Sequence, residues 1–240
     1  MNYRAVFFDL GGTLIEYENH DWATLGKLGL KAVYPFLKNI QPQLPSPELF
    51  AETFYRHLRE LLDQREKHAE IVLYDAVDVI LRKMDLNVSD GLAQEFVEIY
   101  YQPVSDQISV MPGANEILQT IRRAGLKIGL ISNTIFPEKF HLQELADFGL
   151  RKYFDFTIFS SGVGMRKPSG GIFKMALGLA GVLPTEAIFI GDRFDVDIAG
   201  AKNAGMASVW MYHENRDNPE NVEPDFTINK LSELTEIVLS

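Results

Sequence analysis

The feature that most constrains the fold is a series of short apolar segments, most of which end at a polar residue. The first is 5–8, followed by Asp9, and its unbroken apolar character is typical of a strand buried on both faces of a parallel sheet. Four more such segments follow. They are 127–131 before Ser132, 156–159 before Ser160, 187–190 before Gly191 and Asp192, and 207–211.

Helical stretches separate these predicted strands. They span 114–123, 137–148, 172–179 and 195–203, and each is followed within two residues by the glycine that favours a helix C-cap. Alternation of strands and helices is typical of a parallel sheet covered on both faces. The sequence therefore predicts an α/β fold with a doubly wound, Rossmann-like parallel sheet.

The segment 16–103 interrupts this alternation. It has helical spacing of apolar residues without an intervening strand pattern, including amphipathic stripes in 49–62 and 71–84 and a further helix over about 89–103. We interpret it as a helical-bundle domain inserted after the first strand. The predicted domains are thus a core of 1–15 and 104–240 and a helical domain of 16–103.

Composition excludes several classes of site. A formal net charge of −10 disfavours binding to nucleic acid and to anionic membranes, and the absence of cysteine excludes disulfides, thiolate catalysis and Cys-ligated zinc. No apolar run approaches the ~20 residues of a membrane span, and the N-terminus has no leader pattern. These features predict a cytoplasmic protein whose metal, if any, is held by oxygen or imidazole.

Polar side chains follow the predicted strands at the edge where ligands bind in such sheets. Those of interest are Asp9, Ser132, Asn133, Lys167 and Asp192, with Asp195 and Asp197 close behind. A carboxylate can attack phosphorus, carboxylates hold a hard divalent cation, and hydroxyl, amide and ammonium groups bind phosphoryl oxygens. The set therefore favours phosphoryl transfer on a small phosphorylated molecule.

The order of these residues resembles the haloacid dehalogenase superfamily over essentially the whole chain. The family's four motifs are similar to Phe8-Asp9-Leu10-Gly11-Gly12-Thr13-Leu14, Leu130-Ile131-Ser132-Asn133, Arg166-Lys167-Pro168 and Gly191-Asp192-Arg193-Phe194-Asp195-Val196-Asp197. The resemblance implies a magnesium-dependent hydrolase, specifically a phosphatase, and it identifies segment 16–103 as the helical cap that closes over the site.

By the same resemblance, Asp9 is the nucleophile, and Asp9, the Gly11 carbonyl and Asp192 bind Mg²⁺. Ser132 and Lys167 are expected to bind the transferring phosphoryl group, with Asn133 as a further substrate contact. A supporting role, orienting Lys167 or the water on the metal, falls to Asp197 or Asp195.

One position departs from the family pattern. Family phosphatases carry a second aspartate two positions after the nucleophile, where it protonates the leaving oxygen and later activates water, but this chain has Gly11. Loss of a general acid–base group typically costs ~10²- to 10⁴-fold in rate. Glu16 and His20, which lie near Asp9 in sequence, are the best candidates for a replacement.

This departure leaves two alternatives to the phosphatase. The first is a weakly active or inactive family member that binds a phospho-ligand in a regulatory role. The second is an enzyme that cleaves a C–P or C–Cl bond, reactions that the family performs without the second aspartate.

Overall fold

The computed structural model describes residues 3–17, 22–218 and 221–239. Its main sheet has six parallel strands in the order β5-β4-β1-β6-β7-β8, and a separate antiparallel pair joins β2 to β3. The strands are β1 Ala5–Phe8, β2 Ile15–Tyr17, β3 Ile108–Val110, β4 Lys127–Ser132, β5 Phe156–Phe159, β6 Ala187–Gly191, β7 Ala207–Met211 and β8 Phe226–Ile228.

Ten α-helices accompany these strands in the described residues. They are α1 Trp22–Ile40, α2 Pro47–Gln64, α3 Leu73–Lys83, α4 Leu92–Ser105, α5 Ala114–Arg123, α6 Glu138–Asp147, α7 Ser160–Val163, α8 Gly170–Ala180, α9 Ala199–Asn203 and α10 Leu234–Val238. A π-helical turn, Phe194–Ile198, precedes α9. None of the helices in these described ranges combines the length and the hydropathy that a membrane span requires.

The sheet is buried on both faces because successive side chains of a strand point in opposite directions. In β1, Val6 and Phe8 belong to a cluster with α5, whereas Ala5 and Phe7 belong to a second cluster with α8 and α9. The predicted α/β fold with a doubly wound parallel sheet is thus confirmed. The polar residues that follow β1, β4 and β6 meet at one edge.

Helices α1 to α4, called here the helical insertion (22–105), surround their own apolar cluster. Its buried side chains include Phe50, Phe54, Val77 and Phe96, the first three of which belong to the apolar stripes of the sequence. The helical insertion lies between β2 and β3. The division of the chain into domains of 1–15 with 104–240 and of 16–103 stays a prediction.

Candidate active site

A buried lysine lies between two buried carboxylates at the carboxyl edge of the sheet. The Lys167 Nζ is 2.6 Å from Asp9 Oδ1 and 2.8 Å from Asp197 Oδ1. Asp9 follows β1, Asp197 lies in the π-helical turn after β6, and Lys167 lies in the loop before α8. Residues separated by up to 188 positions in the chain therefore meet because three strands end at the same edge.

Asp192 completes an acidic cluster with these two carboxylates. Oxygen atoms of Asp9, Asp192 and Asp197 lie within 4.8 Å of one another, and all three residues are buried. Asp192 Oδ2 accepts a 2.5 Å hydrogen bond from Arg216 Nε, whereas its Oδ1 has no partner among the described residues. Such converging carboxylate oxygens suit a hard divalent cation.

Burial dominates the electrostatics of the cluster. It raises the pKa of the Asp9 carboxyl, although the Lys167 ammonium opposes this effect. Burial also raises the pKa of Asp197 to about 6, and burial together with the Asp197 charge raises the pKa of Asp192. For Lys167 burial alone would lower the pKa, but the carboxylates of Asp197 and Asp9 hold it above its usual value. The lysine is therefore a permanent cation.

The turn after Asp9 is shaped by two glycines. Gly12 has a φ of +73°, and a Cβ added there would lie 2.6 Å from Asp192 Oδ2, so only glycine allows this close approach. A Cβ on Gly11 would lie 3.0 Å from Cε2 of Tyr17. The Tyr17 ring thus lies beside the space that a side chain at position 11 would enter.

Ser132 ends β4, and Asn133 begins the loop that follows it. Ser132 is buried at the last position of the strand. The Asn133 amide is engaged on both sides with the backbone of Lys167, since Oδ1 accepts from the Lys167 N–H at 2.8 Å and Nδ2 donates to the Lys167 carbonyl at 3.0 Å. Asn133 therefore fixes the loop that presents the lysine.

The structure does not bring every predicted residue to the cluster. Asp195 is exposed and pairs with Arg193 at 2.7 Å on the surface. Glu16 lies in β2, where its Oε1 accepts from the Tyr17 N–H and its Oε2 is 3.9 Å from His213 Nε2. His20 lies outside the described residues. Tyr17, not Glu16, is the side chain that lies against Gly11.

Three features of the site escaped sequence reasoning. Arg216 follows β7 and binds Asp192 from 24 positions away, and Thr13 is fully buried with a hydroxyl that has no partner among the described residues. Glu70 of the helical insertion accepts from Ser160 Oγ at 2.9 Å across 90 positions. Thr13 is part of the first motif, so the sequence did indicate that it lies near the site. The contacts of Arg216 and Glu70 depend on tertiary structure alone.

Comparisons with known proteins agree on one family. The model of the haloacid dehalogenase-like hydrolases matches residues 3–205. A glyceraldehyde 3-phosphate phosphatase of Methanothermobacter thermautotrophicus is 30% identical over 241 residues, which cover 98% of this chain and 99% of the relative. A pyrimidine 5'-nucleotidase of Escherichia coli, YjjG, is 35% identical over 156 residues, covering 64% of this chain and 66% of that protein.

Solved structures share the same architecture. The crystal structure of a haloacid dehalogenase phosphatase from Thermococcus onnurineus matches with a TM-score of 0.68 and 30% identity, covering 99% of this chain and 98% of that chain. The match therefore includes both the sheet and the helical insertion. The relatives differ in the substrates that their names state.

Proposed function

The chain belongs to the haloacid dehalogenase-like hydrolase family, and on that premise we propose that it is a phosphatase of a small phosphorylated metabolite with Asp9 as its nucleophile. It is a hydrolase, and its similarity to phosphatases extends over the whole chain. The observation that carries the proposal is the Lys167 ammonium held 2.6 Å from Asp9 in a buried site. That cation attracts a phosphoryl group to the cluster that contains the proposed nucleophile.

The reaction has two steps. The Asp9 carboxylate attacks phosphorus and the bond from phosphorus to the leaving oxygen breaks, so that the leaving group departs as an anion, which takes any proton it needs from water. Water then attacks the phosphorus of the aspartyl-phosphate, so that Asp9 is regenerated and inorganic phosphate is released. Lys167 and Ser132 bind the phosphoryl oxygens, while Asn133 and Asp197 hold Lys167 in position.

The acidic cluster fits a magnesium ion. Asp192 Oδ1 is buried without a hydrogen-bond partner among the described residues, and three carboxylates converge within 4.8 Å, an arrangement that is costly unless a cation offsets it. Asp9, Asp192 and the Gly11 carbonyl would hold the ion. When bound, Mg²⁺ reduces the repulsion between the Asp9 carboxylate and the phosphoryl group. Arg216 binds Asp192 Oδ2, so Asp192 Oδ1 is the oxygen left for the ion.

Gly11 limits the range of substrates. With no carboxyl group at this position, a leaving alkoxide has no dedicated proton donor, whereas an acyl phosphate or an aryl phosphate leaves with little need of a proton. We therefore expect activity to rise with the acidity of the leaving group. Tyr17 is a poor substitute acid because burial raises the pKa of its hydroxyl far above the ordinary value.

The test is turnover of p-nitrophenyl phosphate and of acetyl phosphate with Mg²⁺. Asp9→Asn should abolish release of phosphate, because an amide cannot attack phosphorus as a carboxylate does. Asp195→Asn is the matched control, since that carboxylate is exposed and pairs with Arg193. Equal turnover in wild type and Asp9→Asn would overturn the proposal, and so would the absence of turnover of both compounds.

A further inference from the structure

A cavity of about 500 Å³ lies between the helical insertion and the loops of the sheet. One wall is the segment that follows α2, from Arg65 to His68. The other is the loop around Lys167 together with Arg193, Asp195 and Val196. Lys167 contributes to this wall while its ammonium contacts Asp9, so the cavity adjoins the proposed phosphoryl site. Its volume suits a small metabolite.

The charge of this cavity differs in sign from that of the whole chain. Five basic residues and three acidic residues line it, although the protein carries a formal net charge of −10. The basic residues are Arg65, Lys67, Arg166, Lys167 and Arg193, and the acidic residues are Asp63, Glu66 and Asp195. A local excess of positive charge attracts anions.

Two of these cations, Lys67 and Arg166, are held less tightly than the others. Arg193 is held by Asp195 at 2.7 Å and Arg65 by Glu70 at 3.0 Å. The Arg166 Nε has no hydrogen bond to a described residue, and its ion pair with Glu70 Oε2, at 3.6 Å, is longer than those of Arg65 and Arg193. Lys67 is exposed at the opposite wall, and no described carboxylate lies within salt-bridge distance of it.

The wall that carries Lys67 is fixed to the sheet by its backbone. His68 has a φ of +68°, in the left-handed region that non-glycine residues seldom adopt. Its carbonyl accepts from the Arg166 N–H at 3.0 Å, and the Glu70 N–H donates to the Gly164 carbonyl at 3.1 Å. The backbone conformation and these bonds hold Lys67 and Arg166 on opposite walls of the same cavity.

We propose that this cavity binds the leaving half of the substrate and selects molecules that carry a second anionic group, either a carboxylate or a second phosphate. The assignment of the leaving half rests on the proposed phosphatase function. Lys67 and Arg166 supply the selectivity. Lys167 is occupied by Asp9 and Asp197 and serves the transferring phosphoryl group, so it does not contribute to this choice.

The experiment measures binding and not turnover, so its result does not depend on the outcome of the phosphatase assay. Affinities of two pairs of probes are measured by calorimetry with Mg²⁺ in an Asp9→Asn background, which prevents hydrolysis. The pairs are 3-phosphoglycerate against glycerol 3-phosphate, which differ by a carboxylate, and fructose 1,6-bisphosphate against fructose 6-phosphate, which differ by a phosphate. We expect the doubly anionic member to bind at least about fivefold more tightly in one or both pairs.

Variants assign the preference to the cavity. Lys67→Gln and Arg166→Gln should each reduce it by roughly threefold, and added salt should reduce it in the parent protein. Lys83→Gln, an exposed lysine of α3 outside the cavity, should leave it unchanged. If Arg166→Gln fails to fold, Lys67→Gln still tests the inference, because the Lys67 side chain has no ion pair to lose.

Equal affinities within both pairs would overturn the inference, as would a preference that neither substitution changes. The pair that shows the preference identifies the anion as carboxylate or phosphate. Failure of the phosphatase assay with a normal binding preference would instead remove the proposed function and leave an anion-binding site.

Discussion

At the scale of single residues, the site is dominated by one buried cation between two buried carboxylates. Lys167 is 1% exposed and contacts both Asp9 and Asp197. Removal of one partner of such a group leaves an uncompensated buried charge. The loss in free energy of unfolding is roughly 3–5 kcal/mol, even where the intact group adds little net stability. The lysine is thus expected to stabilise the metal-free protein as well as to bind phosphate.

Lys167→Met should therefore lower the free energy of unfolding of the metal-free protein by about 3 kcal/mol at pH 8. The loss should be smaller at pH 5. A carboxyl with a raised pKa destabilises the fold where it is ionised, and Asp197 already has a pKa of about 6, which rises further without the lysine. Protonation below this value removes the uncompensated charge.

Urea unfolding in EDTA at the two pH values checks this prediction. Lys174→Met, in which an exposed lysine of α8 is replaced, should have nearly the same stability as wild type at both. A Lys167→Met protein as stable as wild type at pH 8 would contradict the account of the buried ion group.

Gly11 and Tyr17 have to be considered as a pair. A side chain on Gly11 meets the Tyr17 ring at 3.0 Å, so Gly11→Asp alone must displace that ring before its carboxyl group can act. We expect the single substitution to raise turnover of alkyl phosphates little. Gly11→Asp with Tyr17→Leu should raise it by at least about tenfold, because a general acid is restored and space for it is opened.

Initial rates with glycerol 3-phosphate and with p-nitrophenyl phosphate test this pair. The gain should be confined to glycerol 3-phosphate, whose leaving group needs a proton. Tyr17→Leu alone serves as the control for any effect of the smaller side chain. A double variant that is folded but no faster than Tyr17→Leu on glycerol 3-phosphate would show that a missing acid is not the limitation.

At the scale of elements, the joint between the helical insertion and the sheet is polar as well as apolar. Tyr101 of α4 donates a 2.5 Å hydrogen bond to Glu144 of α6, and Glu144 also contacts His141 Nδ1 at 2.9 Å. His141 Nε2 lies 2.8 Å from the hydroxyl of Thr134, two positions after Ser132. The network connects the last helix of the insertion to the loop that carries a predicted phosphoryl contact.

Tyr101→Phe should lower the free energy of unfolding by about 2 kcal/mol, because a hydrogen bond to the buried Glu144 carboxylate is lost. Tyr55→Phe is the matched control. It removes a hydroxyl contact of 3.4 Å to Tyr100 within the helical insertion, and it should cost less than about 1 kcal/mol. Denaturant unfolding of the two variants measures both values, and equal losses would show that the network adds no stability at this joint.

Some strands of the fold could be predicted from the sequence, and others could not. Strands β1, β4 and β6 were predictable because each is a continuous apolar run followed by a polar residue. Strands β2, β3 and β8 have only three residues each, and β2 pairs with β3 across about 90 positions, so no local pattern indicates them. The contact of Tyr17 with Gly11 depends on the β2–β3 pair, so it could not be predicted from the sequence either.

At the scale of the whole molecule, the fold concentrates acid at the carboxyl edge of the sheet. This convergence was predictable from the sequence around Asp9, Lys167 and Asp192. These residues follow predicted strands, and parallel strands end at one edge of a sheet. The sequence did not indicate whether Asp195 or Asp197 joins Asp9 and Asp192 in the cluster. Asp197 is fully buried, whereas Asp195, two positions earlier in the same turn, is exposed, and only the geometry of that turn separates them.

Magnesium should stabilise the folded protein as a whole, since a ligand that binds only the native state adds RT ln(1 + [L]/Kd). At a hundredfold excess over Kd this gain is about 2.7 kcal/mol, and for a chain of this length it raises Tm by roughly 5 to 10 °C. Asp192→Asn should remove most of the shift, because it replaces a carboxylate of the cluster with an amide that carries no charge. EDTA should reverse the shift in wild type.

Asp195→Asn is the control that distinguishes the cluster from acidity in general. It changes the formal charge by the same amount, two positions from Asp197, but at an exposed side chain paired with Arg193. Its magnesium shift should match that of wild type. In both proteins the shift should be smaller at pH 5 than at pH 8, since burial raises the pKa of the Asp9 and Asp192 carboxyls and a protonated carboxyl binds no cation. Thermal unfolding at pH 5 and pH 8, with and without Mg²⁺, checks these expectations, and an undiminished shift in Asp192→Asn would exclude the acidic cluster as the magnesium site.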